Sequence, residues 1–503
     1  MDRNTLLTIV LSMGIYAGWY KFYVEPRQQT VKIEETVVVA PKTTPHEPSK
    51  TQRISFGSGD VRVANGGGFL KEWHLKDYAL KLNTKGAVDL DSLTHAGAQI
   101  TLAFDHPDFA YLYHAEGQLT TTSINNVPHI EWHYSDPNVQ LSKKFVPMGT
   151  NLAHLTIDGT FLQHAPETAF ISLSGVASQE DADLADRQII YAPHDDSMDR
   201  VPLSKTPIEQ RALPWSLDYI GITNRYFLLA LLSGPGTKAP QGLIQPRGTD
   251  GGIVSLLYPL EHKKFHTELD VYFGPKEHDV LRTIHPKLDQ AIDFGWFGIV
   301  AKPISNLLHT LYPFVHNYGL AIILLTLLLK ALTYPLTYQS MKNMKKMATI
   351  QPLMQKLRDE HKDNKEVLNK EMMILMRKHG YNPAAGCLPI FIQMPVFYAL
   401  YRVLYTSIDL YHAPFVLWIQ DLSSKDPWYV TPILLSGTMY LQQRLTPNTI
   451  SDPVQAKMMQ FMPLFFGVFM LGLPAGLTLY MLTNALASIL QQLILNRTLH
   501  ADK

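Results

Sequence analysis

The 503-residue chain has one cysteine, Cys387, which excludes an internal disulfide, a CxxC zinc site and an iron–sulfur cluster. Its 20 histidines show no HExxH or comparable ligand spacing, so neither a metal nor any other cofactor is expected. Charge is scarce: Asp, Glu, Lys and Arg make up 17%, against roughly 25% in an ordinary soluble domain. The 44 basic residues balance the 44 acidic ones, which argues against a nucleic-acid site, where a basic excess is expected. There is no Walker motif and no GxGxxG opening a helix after a strand, so nothing points to nucleotide-driven chemistry or to an enzyme.

Apolar residues are plentiful instead, at 46%, and unevenly spread. Leu6 to Tyr20 is an apolar run ending in Trp19, Tyr20, Phe22 and Tyr23, which reads as an uncleaved signal anchor (1–26) with an aromatic interfacial end. Residues 27–53, with Pro41, Pro45 and Pro48 among charged and polar residues, read as a linker. From 54 to 280 short strand-like runs, such as Gln99–Phe104 and Leu152–Ile157, alternate with turn residues; an all-β sandwich is expected. In 281–315, Trp296, Val300, Ile304 and Leu308 recur at helical spacing, predicting an amphipathic helix lying in a membrane interface.

Five further apolar segments follow: Leu320–Leu336, Leu388–Leu404, Tyr429–Leu441, Met459–Leu473 and Leu477–Leu495. With the anchor they predict six spans: the second in 316–337, the third to sixth in 387–496 and a tail in 497–503. The 338–386 loop carries ten Lys/Arg against five acids, whereas Ser407–Trp428 carries one Lys and three Asp. This alternation places the 338–386 loop and both termini in the cytoplasm, and the β domain on the other side. The fold class is thus mixed: an α-helical polytopic membrane core plus an all-β domain. Arg402, at the outer end of its span, is expected to snorkel to the interface.

Lys330 is the sharpest feature. A lysine at mid-bilayer costs roughly 2.5–3.5 kcal/mol on insertion scales and therefore needs a polar setting. Thr326, Lys330, Thr333 and Thr337 share one helical stripe. Asn484 and Ser488 on the last span, Ser436 and Tyr440 on the fourth-span candidate, and Gln393 supply further polar positions, expected to converge on a hydrated cavity. No acidic residue lies in these five spans, so a proton relay lacks its carboxylate. A lone cation in a wet pocket serves to attract negative charge on a passing chain. A transporter for a small anion, using Lys330 as its binding charge, is the alternative; a tethered carbohydrate-binding protein is a third reading. In the 338–386 loop, Met341, Met344, Met347, Met372 and Met376 predict a helical hairpin, either packed along its seam or adaptable to varied apolar partners.

Several motifs carry a family resemblance: Leu288–Trp296, Tyr334-Pro-Leu-Thr337, Asn382-Pro383, Gly386-Cys-Leu-Pro389, Gln393-Met-Pro395, Asp452-Pro453 and Pro474-Ala-Gly-Leu477. With these the chain resembles the YidC-type membrane protein insertases in their long Gram-negative form, along essentially its whole length. The resemblance implies a β super-sandwich in the periplasm, a location in the bacterial inner membrane, and a basic residue in a groove open to cytoplasm and lipid. Arginine is usual there; Lys330 keeps the charge without the bidentate fork. It also implies substrate contacts near Thr326, Tyr480 and Met481. The implied partners are nascent membrane proteins, the lipid bilayer, the Sec translocon, and the ribosome or signal-recognition machinery at the hairpin and tail. The implied function is insertion and chaperoning of membrane proteins.

Overall fold

The structure, a computed structural model, describes residues 51–501 except 57–58, 68–69, 80–86, 90–99, 150, 177–186, 204–209, 235–239, 248–250, 262, 296, 362–363, 380–382 and 447–452. The expected anchor and most of the linker lie outside the described residues, as does the end of the tail.

Strict apolar–polar alternation builds the first half. In Val139–Pro147 every second side chain is buried, and Leu152–Phe161 repeats the pattern. Such strands assemble into two nine-stranded antiparallel sheets. One runs Thr51–Phe56, Gly59–Ala64, Leu70–Ala79, Ile100–Phe104, Thr168–Val176, Gly251–Pro259, Gln241–Arg247, Arg211–Trp215, with Ala87–Asp89 paired onto the third. The other runs Asp199–Pro202, Gln188–Pro193, Leu217–Thr223, Phe227–Ser233, Lys264–Pro275, Leu152–Phe161, Val139–Pro147, Val127–Ser135, Gln118–Ile124. The first strand begins at Thr51, inside the stretch read as linker: it pairs with Gly59–Ala64, and Arg53 meets Asp60 at 2.6 Å. Between the sheets lies a large aromatic core, where Trp73 contacts Phe145 and Phe273 edge-on.

Three strands of the second sheet depart from alternation: they are buried on both faces. In Phe227–Ser233, Leu229 and Leu231 face the sandwich core, while Leu228, Ala230 and Leu232 face a second cluster. Ile190 with Ala192, and Tyr219, make the same outward contribution. That cluster continues through Leu281, Leu288 and Ile292 into the helices, so the sheet and the helical core share one apolar seam.

The helices are α1 (His278–Ile284), α2 (Gly298–Val315), α3 (Tyr318–Glu360), α4 (Lys365–Lys378), α5 (Pro383–Thr406), α6 (Val430–Leu445), α7 (Pro453–Met470) and α8 (Ala475–Ala501). Gly295, at φ +66°, turns the chain into α2; a Cβ there would stand 2.7 Å from the Tyr398 hydroxyl, so only glycine fits. The 43-residue α3 is continuous through Pro335 and Pro352, about 65 Å at 1.5 Å per residue, so the expected second span and the first hairpin arm lie on one helix. Pro335 removes the backbone donor that would meet the Ala331 carbonyl, and the nearby Thr333 and Thr337 hydroxyls bond other carbonyls, those of Leu329 and Thr333.

Candidate functional site

Asn317 caps α3, its side chain accepting the Leu320 N–H at 3.1 Å. Along the helix, the hydroxyls of Thr326, Thr333 and Thr337 donate to the carbonyls of Ile322 (2.7 Å), Leu329 (2.9 Å) and Thr333 (3.1 Å). The threonines thus satisfy themselves. Lys330 must reach outside its own helix: its Nζ donates to Ser488 Oγ on α8 at 2.7 Å. Ser488 passes its own hydrogen to the Asn484 carbonyl at 2.8 Å, and Gln491 Nε2 donates to the Lys330 carbonyl at 3.4 Å. Lys330 is half-buried and, among the described residues, has no carboxylate partner. An ammonium held by one neutral hydroxyl is undercompensated, so an incoming negative group gains both attraction and hydrogen bonds.

Two turns up the same face of α8, the Tyr480 hydroxyl accepts from Gln393 Nε2 on α5 at 3.2 Å. Tyr480 is buried and its ring lies tilted against Phe397. Met481 packs at the edge of a cluster of Leu435, Met470 and Ala485. Thr326 is fully buried, so its surface is covered in this conformation.

The expected convergence of three polar rows is corrected to two. Ser436 donates to the Pro432 carbonyl at 2.8 Å and stands against Gly467, where the absence of a Cβ lets α7 approach α6. Tyr440 accepts from Gln460 of α7 at 3.4 Å. Both therefore belong to the α6–α7 seam, whereas Lys330, Ser488, Gln393 and Tyr480 join α3, α5 and α8.

The interfacial helix also differs from expectation. Trp296 lies outside the described residues, and Ile304 and Leu308 are buried with Val300 packed beside them in the cluster that includes α3 and α5. Tertiary packing uses the stripe that was assigned to lipid; Ile299 (90% exposed) and Phe314 (79%) remain outward. In the hairpin, Met372 and Met376 pack on Ile350 and Met354, forming the seam. Met341 is half-buried, and the side chains of Met344 and Met347 lie outside the description. Met373 and Ile374, overlooked in the sequence, are exposed apolar side chains of α4, as is Val367.

Arg402 does not snorkel. It pairs with Asp293 (Nη2–Oδ2 2.5 Å) and donates twice to the Asp293 carbonyl, joining α5 to the segment before α2. Burial would raise the Asp293 carboxyl, but the Arg200 and Arg402 guanidiniums hold it below the usual carboxylate range. Arg225 of the β domain completes the junction, donating to the Tyr405 carbonyl at 2.6 Å and lying over the Tyr405 ring. No spacing rule could have found these pairs, because their partners lie about 100–200 positions away.

Among the described residues two helices, Tyr318–Asn343 and Ala475–Leu495, are long and apolar enough to cross a bilayer, and Lys457–Met470 is a shorter apolar helix. Their outer faces are apolar: Leu332, Phe465, Val468, Phe469 and Leu490 are each at least 60% exposed. With polar groups inside and apolar ones outside, the class is a membrane-associated helical core carrying a β-sandwich domain.

Residues 310–502 match the family described as 60Kd inner membrane protein, and residues 172–307 match the YidC periplasmic domain. A protein named membrane protein insertase YidC from Geobacter metallireducens is 44% identical over 288 residues, 56% of this chain and 53% of that one. Its namesake from Geobacter sulfurreducens is 42% identical over 310 residues, 60% and 56% of the two chains. The crystal structure of YidC from Thermotoga maritima aligns at 16% identity over 89% of this chain and 98% of that one, with a TM-score of 0.34. The matched region spans about half the length of the curated relatives. Residues 172–307 and 310–502 thus resemble the YidC family, whose members are inner membrane proteins with a periplasmic domain.

Proposed function

We propose that this chain is a membrane protein insertase and chaperone, without enzymatic chemistry, and that Lys330 is its working charge. The observation that carries the reading is the Lys330–Ser488 hydrogen bond between two helices able to span a bilayer, with no carboxylate partner among the described residues. A nascent membrane protein meets the α3–α4 hairpin. Its short polar segment is drawn toward Lys330 past Ser488 and Asn484, and its apolar segment leaves into lipid between α5 and α7. Transfer of the apolar segment out of water, about 25 cal/mol per Å² buried, supplies the drive. Thr326, Thr333, Thr337, Gln393, Tyr480 and Met481 line this route, and Ser436 and Tyr440 stand apart from it in the α6–α7 seam.

The family and the loop charges support six spans with both termini cytoplasmic and the β domain in the periplasm, divided as the sequence reading has them. The Sec translocon and the ribosome or signal-recognition machinery are proposed partners, the latter at the hairpin and tail. The anion-transporter reading has no support among the relatives, which are named insertases.

Reconstituted wild-type protein is expected to insert a single-span substrate with an acidic tail. Lys330→Arg should retain this and Lys330→Glu should lose it by 10-fold or more, about 1.4 kcal/mol for each factor of ten. Normal insertion by a folded Lys330→Glu protein would sink the attraction model.

A further inference from the structure

A second group of polar side chains, on the β domain, takes no part in this route. After strand Ile100–Phe104 the chain passes through Asp105 into a short 3-10 turn, Pro107–Tyr113; the loop 162–167 follows strand Leu152–Phe161. Asp105 ties these segments together: its N–H donates to the Thr168 carbonyl at 3.2 Å, and its carboxylate accepts the Glu167 N–H at 3.0 Å. Beneath them lies buried Phe109, with the His106 and His164 rings 6.0 and 5.1 Å from its centre. The two imidazoles meet at 5.1 Å, and one carboxylate oxygen stands between them. Asp108 Oδ2 is 3.1 Å from His164 Nε2 and 3.7 Å from His106 Nδ1.

We propose that His106, Asp108 and His164 form a site for a divalent transition-metal ion of the zinc class, with its fourth position open to solvent. The three ligand atoms lie within 4.8 Å of one another. Zinc bonds of about 2.0–2.1 Å in tetrahedral array put ligand atoms about 3.3 Å apart, between the two separations seen here. The Asp108 N–H donates to the single lone pair of His106 Nδ1 at 3.3 Å, so that nitrogen exchanges this long hydrogen bond for the ion on binding. A surface ion pair would need one imidazole and is worth little. Two imidazoles and a carboxylate on a shared aromatic platform match the donor set preferred by zinc-class ions. The ligands come from segments 56 residues apart in sequence, so a bound ion would also staple the 3-10 turn to the loop.

The test uses the full chain in detergent, carrying a histidine-free affinity tag and stripped with a chelator. Zn²⁺ is titrated by calorimetry, and Co²⁺ is followed by its visible absorption. Wild type is expected to take up one ion at micromolar concentration and to show tetrahedral Co²⁺ bands. Asp108→Ala and His164→Ala should each weaken uptake at least about tenfold and abolish the bands. Asp108→Asn and His164→Gln, at exposed positions, provide folded counterparts checked by circular dichroism. His194→Ala, at another exposed histidine–aspartate pair, should leave the titration unchanged. Absence of micromolar uptake by wild type, an unchanged titration in folded His164→Gln, or equal loss in His194→Ala would overturn the site.

Discussion

The β domain and the helical core solve opposite problems with the same materials. In the sandwich, Trp73, Trp132 and Phe273 are sealed inside, and the charged side chains mostly face outward. In the helical core, Lys330, Ser488, Gln393 and Tyr480 turn inward, and Phe465, Val468 and Phe469 face out. The inversion follows from the solvent: water rewards polar surfaces, whereas hydrocarbon leaves an exposed polar group unsatisfied. Strand Phe227–Ser233 serves both regimes, giving alternate side chains to each cluster. The two halves are therefore mechanically joined rather than loosely tethered.

That contrast can be broken most sharply at Trp73. Trp73→Ala removes a fully buried indole and should cost about 3–5 kcal/mol, read as a lower denaturant midpoint of the full chain in detergent. Arg225→Ala tests the joint: loss of the Tyr405 contacts should cost about 1–3 kcal/mol and increase proteolysis between the two halves. Unchanged proteolysis would mean that the apolar seam alone holds them.

A smaller effect is expected at the His309–Asp409 pair, 2.7 Å apart, which ties α2 to the loop before α6. The Asp409 hydrogen bond raises His309 above its ordinary value of 6.5 despite burial. Burial would raise Asp409, but the His309 hydrogen bond holds it below 3.8. Stability from His309 is complete below 6.5 and fades as pH rises through its raised value; that from Asp409 is complete above 3.8 and fades on acidification. The pair should therefore stabilise most between about pH 4 and 6.5. The melting temperature of wild type relative to His309→Ala should peak there, and a pH-independent difference would contradict the coupling. Phe465→Ala, on the outer apolar face, should be the mildest, within about 0.5 kcal/mol in detergent.

Much of this architecture is legible along the chain. Alternation marks Val139–Pro147 and Leu152–Phe161 as half-buried strands, and a leucine-rich run interrupted by Lys330 marks both a candidate span and its proposed working charge. These properties are periodic and local, so they survive without coordinates. The choice of partner for each side chain does not. Ser436 and Tyr440 sit on a polar face, yet that face meets α7 because Gly467 admits the approach. The α2 stripe reads equally well as lipid-facing or protein-facing, since both environments accept apolar groups. His106, Asp108 and His164 carry no recognisable spacing until two loops fold over Phe109. The sequence by itself determined which segments are strand, which are membrane-like helix and where a lysine interrupts the apolar run of one such helix. Only the tertiary structure decided which faces meet, because contacts between distant segments depend on packing geometry that no local period encodes.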